Sequence, residues 1–462
     1  MATKLAVKPS SFILYAAVTV GCYISLHSTN LSATLPANDE FTGIIKTEAK
    51  DSVPDWPGPV QSRPDAPNIL IWMLDDAGIG HIGAFGSMIE TPNLDKLSQQ
   101  GLRFSNFHAT PVCSASRASL LTGRNPHRVH MGAHAGGAIG FPGYDAHIPN
   151  SMGTIADILQ AEGYTTMAIG KWDHLPGEDS SPAGPFDYWP SGQGFDRFYG
   201  FLAADTDNFQ PALWADHTPA ELPAKDSYHL SEDMADKAIQ WIDERNNRPT
   251  QPPFFMYWAT GAVHAPHHAP TDTLAYYRGR FDQGWDNMRE QILAKQKTEG
   301  IIPSDTPLPP LPAEIPAWKS LSEQAQQSYA RAMEALAAQM TYTDQQFGRI
   351  LNHLETIGEL ENTLVIVLSD NGASAEGGLH GTFNEPLFFN SRQTTVEQNL
   401  HYFDRWGGAD TYPHVPVGWG IAGNTPFRYY KQTAYEGGTR VPLIMTWPQG
   451  IQPAGEIRDQ YH

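Results

Sequence analysis

Residues 68–76 read "NILIWMLDD", seven mostly apolar positions that end abruptly in two aspartates. An apolar run of this length, rich in β-branched and aromatic residues and closed by polar ones, predicts a strand buried on both faces. Such strands belong to parallel sheets covered by helices on both sides. Further short apolar runs follow, at "YTTMAIG" (164–170), "PFFMYWAT" (253–260), "TLVIVLS" (363–369) and "RVPLIMTW" (440–447), the last strand expected. "LRFSNFHA" (102–109) reads as one more. Between them lie helical patterns. At Thr91–Pro92 an N-cap precedes proline at the first helical position, and Gly101 closes the helix. "SASRASLLTG" forms a short helix with Cys113 at or just before its start. Further helices are predicted from Thr154 to Glu162, from Ser231, and from Ser322 to about Ile357. The alternation predicts an α/β fold, a large mixed and mostly parallel sheet sandwiched by helices. Residues 265–316 read as a proline-rich excursion, and 376–425 as a glycine- and aromatic-rich insertion without clear period.

The polar residues that follow the strands carry the chemistry. Asp75 and Asp76 follow the first run, Lys171, Trp172, Asp173 and His174 the second, His264 the third, and Asp370 and Asn371 the fourth. Open α/β sheets bind ligands beyond the carboxyl ends of their strands. "DD" and "SDNG" taken alone are ordinary turn sequences. At strand ends together they form a set of three carboxylates and an amide, hard oxygen donors suited to Ca²⁺ or Mg²⁺. Without a cation those carboxylates would repel one another. Lys171 and His264 add positive charge and proton transfer. A helix N-terminus at Cys113 favours an anion. The constellation describes a site for an anionic ester.

The bulk of the sequence narrows the class. The 462 residues carry 50 Asp and Glu against 30 Lys and Arg, a formal charge of −20, which disfavours nucleic acid as a partner. Lys4 and Lys8 precede an apolar run from Phe12 to about Leu26, shorter than a membrane-spanning helix requires. Residues 1–33 are expected to be a secretory signal peptide; an uncleaved anchor and a lipoprotein signal ending at Cys22 are the alternatives. Each places the body outside the cytoplasm, periplasmic or extracellular, with membrane contact only through an uncleaved N-terminus. Residues 34–66, with Pro36, Pro54, Pro57, Pro59 and Pro64, read as a linker. Cys22 and Cys113 are the only cysteines, so no internal disulfide framework is expected once the leader is gone. A lone Cys113 is either a small buried core residue or a thiol that is converted before the protein works.

"CSASR" at 113–117, followed by "ASLLTGR", resembles the signature Cys-x-Pro/Ala-x-Arg of the type I, formylglycine-dependent sulfatases, a branch of the alkaline phosphatase-like superfamily. "PNILIWMLDDAGIGHIGAFGS" (67–87), "SDNGA" (369–373) and "FRYYKQTAYEGGTRVPLIMTWP" (427–448) resemble further blocks of that family. "GPFDYWPSGQGFDRFYGF" and "YYRGRFDQGWD" are similar to the bacterial arylsulfatases. The resemblance implies that Cys113 is oxidised by a formylglycine-generating enzyme, and that a hydroxyl of the aldehyde hydrate attacks sulfur. The phenol or alcohol leaves, the second hydroxyl loses its proton, and inorganic sulfate departs as the aldehyde re-forms. It implies Asp75, Asp76, Asp370, Asn371 and the modified Cys113 as ligands of Ca²⁺, with Mg²⁺ the alternative. Arg117 would steady the formylglycine, and Lys171, His174, His264 and Lys431 would hold sulfate and assist the leaving oxygen.

Two departures stand out. Where the family reads Gly-Lys-Trp-His or Gly-Lys-x-His, this chain reads "GKWDH". A regular strand would turn Asp173 to the site, and a local bulge would bring in His174. The family also continues into a small C-terminal subdomain, whereas this chain stops at His462; the catalytic domain, 67–462, is therefore expected to be C-terminally incomplete. The sulfated substrate is a small molecule or a carbohydrate. The alternatives are a phosphonate or phosphate ester hydrolase on the same scaffold, and an inactive sulfate-ester- or glycan-binding homologue.

Overall fold

The first strand, β1 (Asn68–Leu74), is buried along nearly its whole length and pairs in parallel with a neighbour on each side. The computed structural model describes residues 41–461 except positions 57, 59, 226 and 453; the expected leader, 1–33, and the start of the linker lie outside them. In the unit Met1–Pro59, the described residues form a short turn at Ala49–Asp51, closed by backbone bonds between Ile44 and Val53. All that follows belongs to the second unit, Val60–His462.

Among the described residues ten strands form one sheet. They are β1, β2 (Leu102–Phe104), β3 (Thr165–Lys171), β4 (Arg197–Phe201), β5 (Trp214–Ala215), β6 (Thr218–Pro219), β7 (Phe254–Ala259), β8 (Thr363–Ser369), β9 (Leu443–Thr446) and β10 (Glu456–Arg458). Their order is β10-β2-β9-β8-β1-β7-β3-β4-β5-β6. The central strands β8, β1, β7, β3 and β4 are parallel, and antiparallel pairs join β9 and the two-residue strands to them. The sheet is mixed and mostly parallel, as the alternating pattern predicted. β9 is not the last strand: β10 follows it and pairs in parallel with β2.

Side chains alternate between two cores, as the period of two in a strand requires. Leu70, Trp72 and Leu74 of β1 join Phe254, Met256 and Trp258 of β7 on one face; Ile71, Met73, Phe255 and Tyr257 point to the other. The first face is covered by α1 (Pro92–Gln100), α4 (Leu230–Asn246) and the 34-residue α7 (Glu323–Thr356). The second is covered by α2 (Cys113–Thr122) and α3 (Ile155–Ala161). Trp72, fully buried, packs on Phe347 of α7 with ring centroids 4.4 Å apart. Truncating such a side chain costs about 3–5 kcal/mol. α3 begins with a capping box between Thr154 and Asp157, and Ser322 caps α7.

The proline-rich excursion is more ordered than its composition suggests. It contains α5 (Thr271–Tyr276) and α6 (Gly284–Thr298), whose Trp285, Met288 and Ile292 are buried in the first core. The 376–425 insertion holds three short helices, α8 (Pro386–Phe389), α9 (Val396–His401) and α10 (Val417–Gly423).

Candidate active site

β8, β1, β7 and β3 are adjacent and parallel, so their carboxyl ends deliver side chains to one edge. From β1 come Asp75 and Asp76, from β8 Asp370 and Asn371, from β3 Lys171, and beyond β7 His264. None of these side chains is more than marginally exposed. Asp76 adopts a left-handed conformation, φ 58°, and its N–H donates to Asp370 Oδ1 at 3.2 Å. Aspartate tolerates that region better than a branched residue would.

α2 supplies the remaining corner. Cys113 is its first residue, and Arg117 follows four positions later on the same face. Gly123 ends the helix with φ 64° while its N–H donates to Ser119 O. The N-cap, Val112, offers no side-chain cap, so the first N–H groups of this ten-residue helix lie beside the cluster without intrahelical acceptors. Arg117 donates to Asp370 Oδ2 from Nε at 2.9 Å and from Nη2 at 2.6 Å, and Nη2 is 3.5 Å from Asp75 Oδ1. Cys113 Sγ lies 3.9 Å from Asp76 Oδ1. Burial pushes the Cys113 thiol well above its ordinary pKa, against the pull of Lys171 and Lys431. A thiolate nucleophile is not available there near neutral pH.

Two lysines flank this corner. Lys171 Nζ is 2.7 Å from Asp75 Oδ2, and Lys431 Nζ is 3.1 Å from Asp76 Oδ2 and 2.9 Å from Glu376 Oε2. Burial disfavours both ammonium groups, but Asp75 and Asp76 outweigh it and hold them above the usual lysine range. His264 Nδ1 donates to Ala265 O at 2.7 Å, leaving Nε2 3.7 Å from Asp76 Oδ2. Burial and Lys431 press His264 towards neutrality, but Asp76 and Asp75 prevail and lift it to about 9.

Carboxylate oxygens of Asp75, Asp76 and Asp370 and the sulfur of Cys113 lie within 4.8 Å of one another. Asn371 Nδ2 donates to Asp76 Oδ1 at 2.7 Å, which turns its amide oxygen free. Asp75 Oδ1 and Asn371 Oδ1 are buried without a hydrogen-bond donor. Orphaned acceptors beside clustered carboxylates fit a hard divalent cation.

His174 is the sequence-derived candidate that does not join the cluster. The β3 ladder runs on past Lys171, with Trp172 N–H donating to Phe201 O and Asp173 N–H to Leu202 O. That register keeps Asp173 on the same side as Lys171, 3.8 Å from its Nζ. Asp173 then turns left-handed, φ 54°, and His174 folds back onto Trp172 with ring centroids 3.9 Å apart and Nδ1 2.6 Å from Trp172 O. Asp173, not His174, faces the site.

Three neighbours escaped the sequence reading. Ser114 donates to Asp173 Oδ2 at 3.2 Å, and His134 Nε2 lies 3.3 Å from Asp173 Oδ1. His134 comes from a glycine-rich loop with no periodic signal. Glu376 lies five residues beyond Asn371 in the loop after β8, and that proximity was a usable signal.

Residues 67–462 match the sulfatase family. An uncharacterized sulfatase of Schizosaccharomyces pombe is 31% identical over 416 residues, 85% of this chain and 72% of its own. Arylsulfatase of Klebsiella aerogenes is 29% identical over 412 residues, 86% of this chain and 84% of its own. In fold, the chain is similar to a protein solved in complex with its substrate D-glucosamine-2-N,6-O-disulfate. The TM-score is 0.51 at 21% identity, over 85% of this chain and 73% of that one. The signature on α2, the strand-end carboxylates and these matches agree: the chain belongs to the sulfatase family, enzymes that hydrolyse sulfuric esters.

Proposed function

We infer that the protein hydrolyses sulfate esters to an alcohol or phenol and inorganic sulfate, using formylglycine made from Cys113 and a bound Ca²⁺. The observation that carries this reading is the position of Cys113, at the N-terminus of α2 beside Asp76, one helical turn from an Arg117 locked onto Asp370. Asp75, Asp76, Asp370 and Asn371, with the modified residue 113, would hold the ion, and Ca²⁺ there would draw negative charge off the reacting sulfate. Formylglycine, as its hydrate, would supply the oxygen nucleophile that a buried neutral thiol cannot.

The chain's own groups do the rest. Lys171, Lys431 and the N-terminus of α2 bind the anion and neutralise charge as the ester bond breaks. His264, anchored through Nδ1 on Ala265 O, holds a proton at Nε2 for the leaving oxygen. Arg117 fixes residue 113 against the carboxylates. Cys113 is only 1% exposed, so a formylglycine-generating enzyme would meet it before folding is complete. The apolar run at 12–26, preceded by Lys4 and Lys8, supports export, and on this reading the chemistry would take place outside the cytoplasm. Aryl sulfates, the class named by the Klebsiella relative, are the first substrates to test, and sulfated glucosamines the second.

The test is the mass of the tryptic peptide 104–117 from protein made in its native host, with sulfate release from an aryl sulfate measured on the same sample. Aldehyde in place of thiol together with turnover is expected. Unmodified cysteine in an active sample would overturn the nucleophile. Full conversion without turnover on sulfate or phosphate esters would leave a binding protein, and a faster paired phosphate ester would move the reaction class.

A further inference from the structure

Lys431 joins the site just described to a second polar cluster. Its partner Glu376 lies with Glu385 and His414 so that one carboxylate oxygen of each glutamate and a ring nitrogen of the histidine fall within 4.8 Å of one another. The backbone fixes this arrangement. Thr382 and His414 exchange N–H···O bonds of 2.9 and 2.8 Å, and Glu385 N–H donates to Tyr412 O at 2.8 Å. Glu385, immediately before α8, is therefore held facing His414, with Oε1 3.8 Å from Nε2.

Glu385 is the member of the cluster left without donors. Glu385 is 0% exposed, and neither of its carboxylate oxygens has a hydrogen-bond partner. His414 Nδ1 donates to Val415 O at 3.1 Å, which makes Nε2 the lone-pair nitrogen. Ser374 Oγ lies 3.0 Å from that nitrogen and 3.0 Å from Glu376 Oε2, which Lys431 also serves, while Gln432 Nε2 donates to Glu376 Oε1 at 2.7 Å, so no proton of the cluster reaches Glu385. His267, with its ring centroid 5.1 Å from that of His414, gives its Nδ1 proton to Gln339 Oε1 and leaves Nε2 buried without a partner. A buried carboxylate with no donor on either oxygen is among the costliest arrangements a fold can hold. Burial, with Asp205 and Glu376 adding to it, pushes Glu385 up to about 8 against the pull of His264 and Lys431. A cation resolves the excess at one stroke.

We propose that Glu376, Glu385 and His414 form a second divalent-cation site, distinct from the carboxylates around Cys113. Two carboxylates and one imidazole favour a borderline ion such as Zn²⁺ over Ca²⁺, and Mn²⁺, a harder ion that still accepts imidazole, serves as the spectroscopic probe. Because Glu376 also binds Lys431, the second ion would sit one residue removed from the sulfate-binding lysine and would help set its position.

The test is metal content per folded chain after loading with Mn²⁺ and removal of free metal, read with pulsed EPR for imidazole nitrogen coupling. The wild type is expected to hold two ions and to show nitrogen coupling. Glu385→Gln and His414→Gln should each hold one ion, and His414→Gln should lose the coupling. Asp370→Ala should lose the other ion and keep it, so failure of the first site is distinguishable from failure of the second. Equal metal content in wild type and both second-site variants would overturn the proposal. So would coupling that survives in His414→Gln, which would assign it to His264. A protonated-carboxyl infrared band in metal-loaded wild type that Glu385→Gln removes would also overturn it, in favour of a proton held on Glu385. If Glu385→Gln does not fold, His414→Gln carries the same comparison.

Discussion

Arg117 places both Nε and Nη2 on one oxygen of Asp370, at 2.9 and 2.6 Å, four residues after Cys113 on the same helix. The arginine therefore ties the helix bearing Cys113 to the strand end bearing the carboxylates. Arg117→Ala would leave Asp370 buried and unpaired, a loss of about 3–5 kcal/mol in unfolding free energy. Arg117→Lys should be destabilised less, yet lose turnover by about 10²-fold because a single ammonium cannot hold the helix at the same place. Urea unfolding and kcat on an aryl sulfate check both. Wild-type turnover in Arg117→Lys would show that helix placement does not depend on the fork.

Asp173 brings a negative charge 3.8 Å from Lys171 Nζ, next to where sulfate would bind. Lys171, His134 and Arg117 hold it ionised, well below the ordinary carboxylate range despite burial. A charge of the same sign beside an anion subtracts from its affinity. Asp173→Asn should tighten inhibition by free sulfate by about tenfold, equivalent to roughly 1.4 kcal/mol. Unchanged or weaker inhibition would show that Asp173 acts only as a strut for His134.

The orphaned oxygens of Asp75 and Asn371 predict that stability depends on a divalent ion. Ca²⁺ at a hundred times its Kd should raise the unfolding free energy by about 2.7 kcal/mol over chelated protein. Asn371→Ala should need more Ca²⁺ for the same gain, since it deletes one ligand oxygen and the amide that holds Asp76 Oδ1 in position. Thermal unfolding across a Ca²⁺ titration measures both. Identical melting with and without Ca²⁺ would remove the ion from this site.

What the sequence disclosed follows from where the information lies. β1, β3, β7 and β8 are buried on both faces, so their apolar runs are continuous and their polar ends mark the sheet edge. Pro92 at the first position of α1 and the capping side chains of Thr154 and Ser322 announce helices through local chemistry, whereas Thr91 stands at the N-cap without a side-chain cap bond. β5 and β6 form a two-residue hairpin too short to carry a period, and β10 exists through pairing with β2, remote in sequence, which no local pattern records. α6 was readable in principle: Trp285, Met288 and Ile292 recur at helical spacing, but the surrounding prolines masked them. At the site, residues ending a strand were legible by position, whereas His134, Glu385 and His414 arrive on loops whose path only tertiary structure sets.

The acid limb of stability should trace to buried neutral histidines away from the carboxylates. His229 caps α4, accepting at Nδ1 from Ser231 N–H, with Nε2 3.3 Å from His268 O. Burial presses its pKa down to about 3, against the pull of the His268 carbonyl. The unfolded chain, with an ordinary histidine near 6.5, takes up this proton first, so stability present above about 6.5 falls as pH drops towards 3. Within that window His229 alone contributes a slope of about 1.4 kcal/mol per pH unit. Urea midpoints of wild type and His229→Gln, compared between pH 6 and 5 at equal saturating Ca²⁺, isolate its share because the other titrating groups are common to both. The variant should lose stability with a slope shallower by that amount. Parallel curves would mean that His229 is protonated in the folded protein and that acid sensitivity arises at another group.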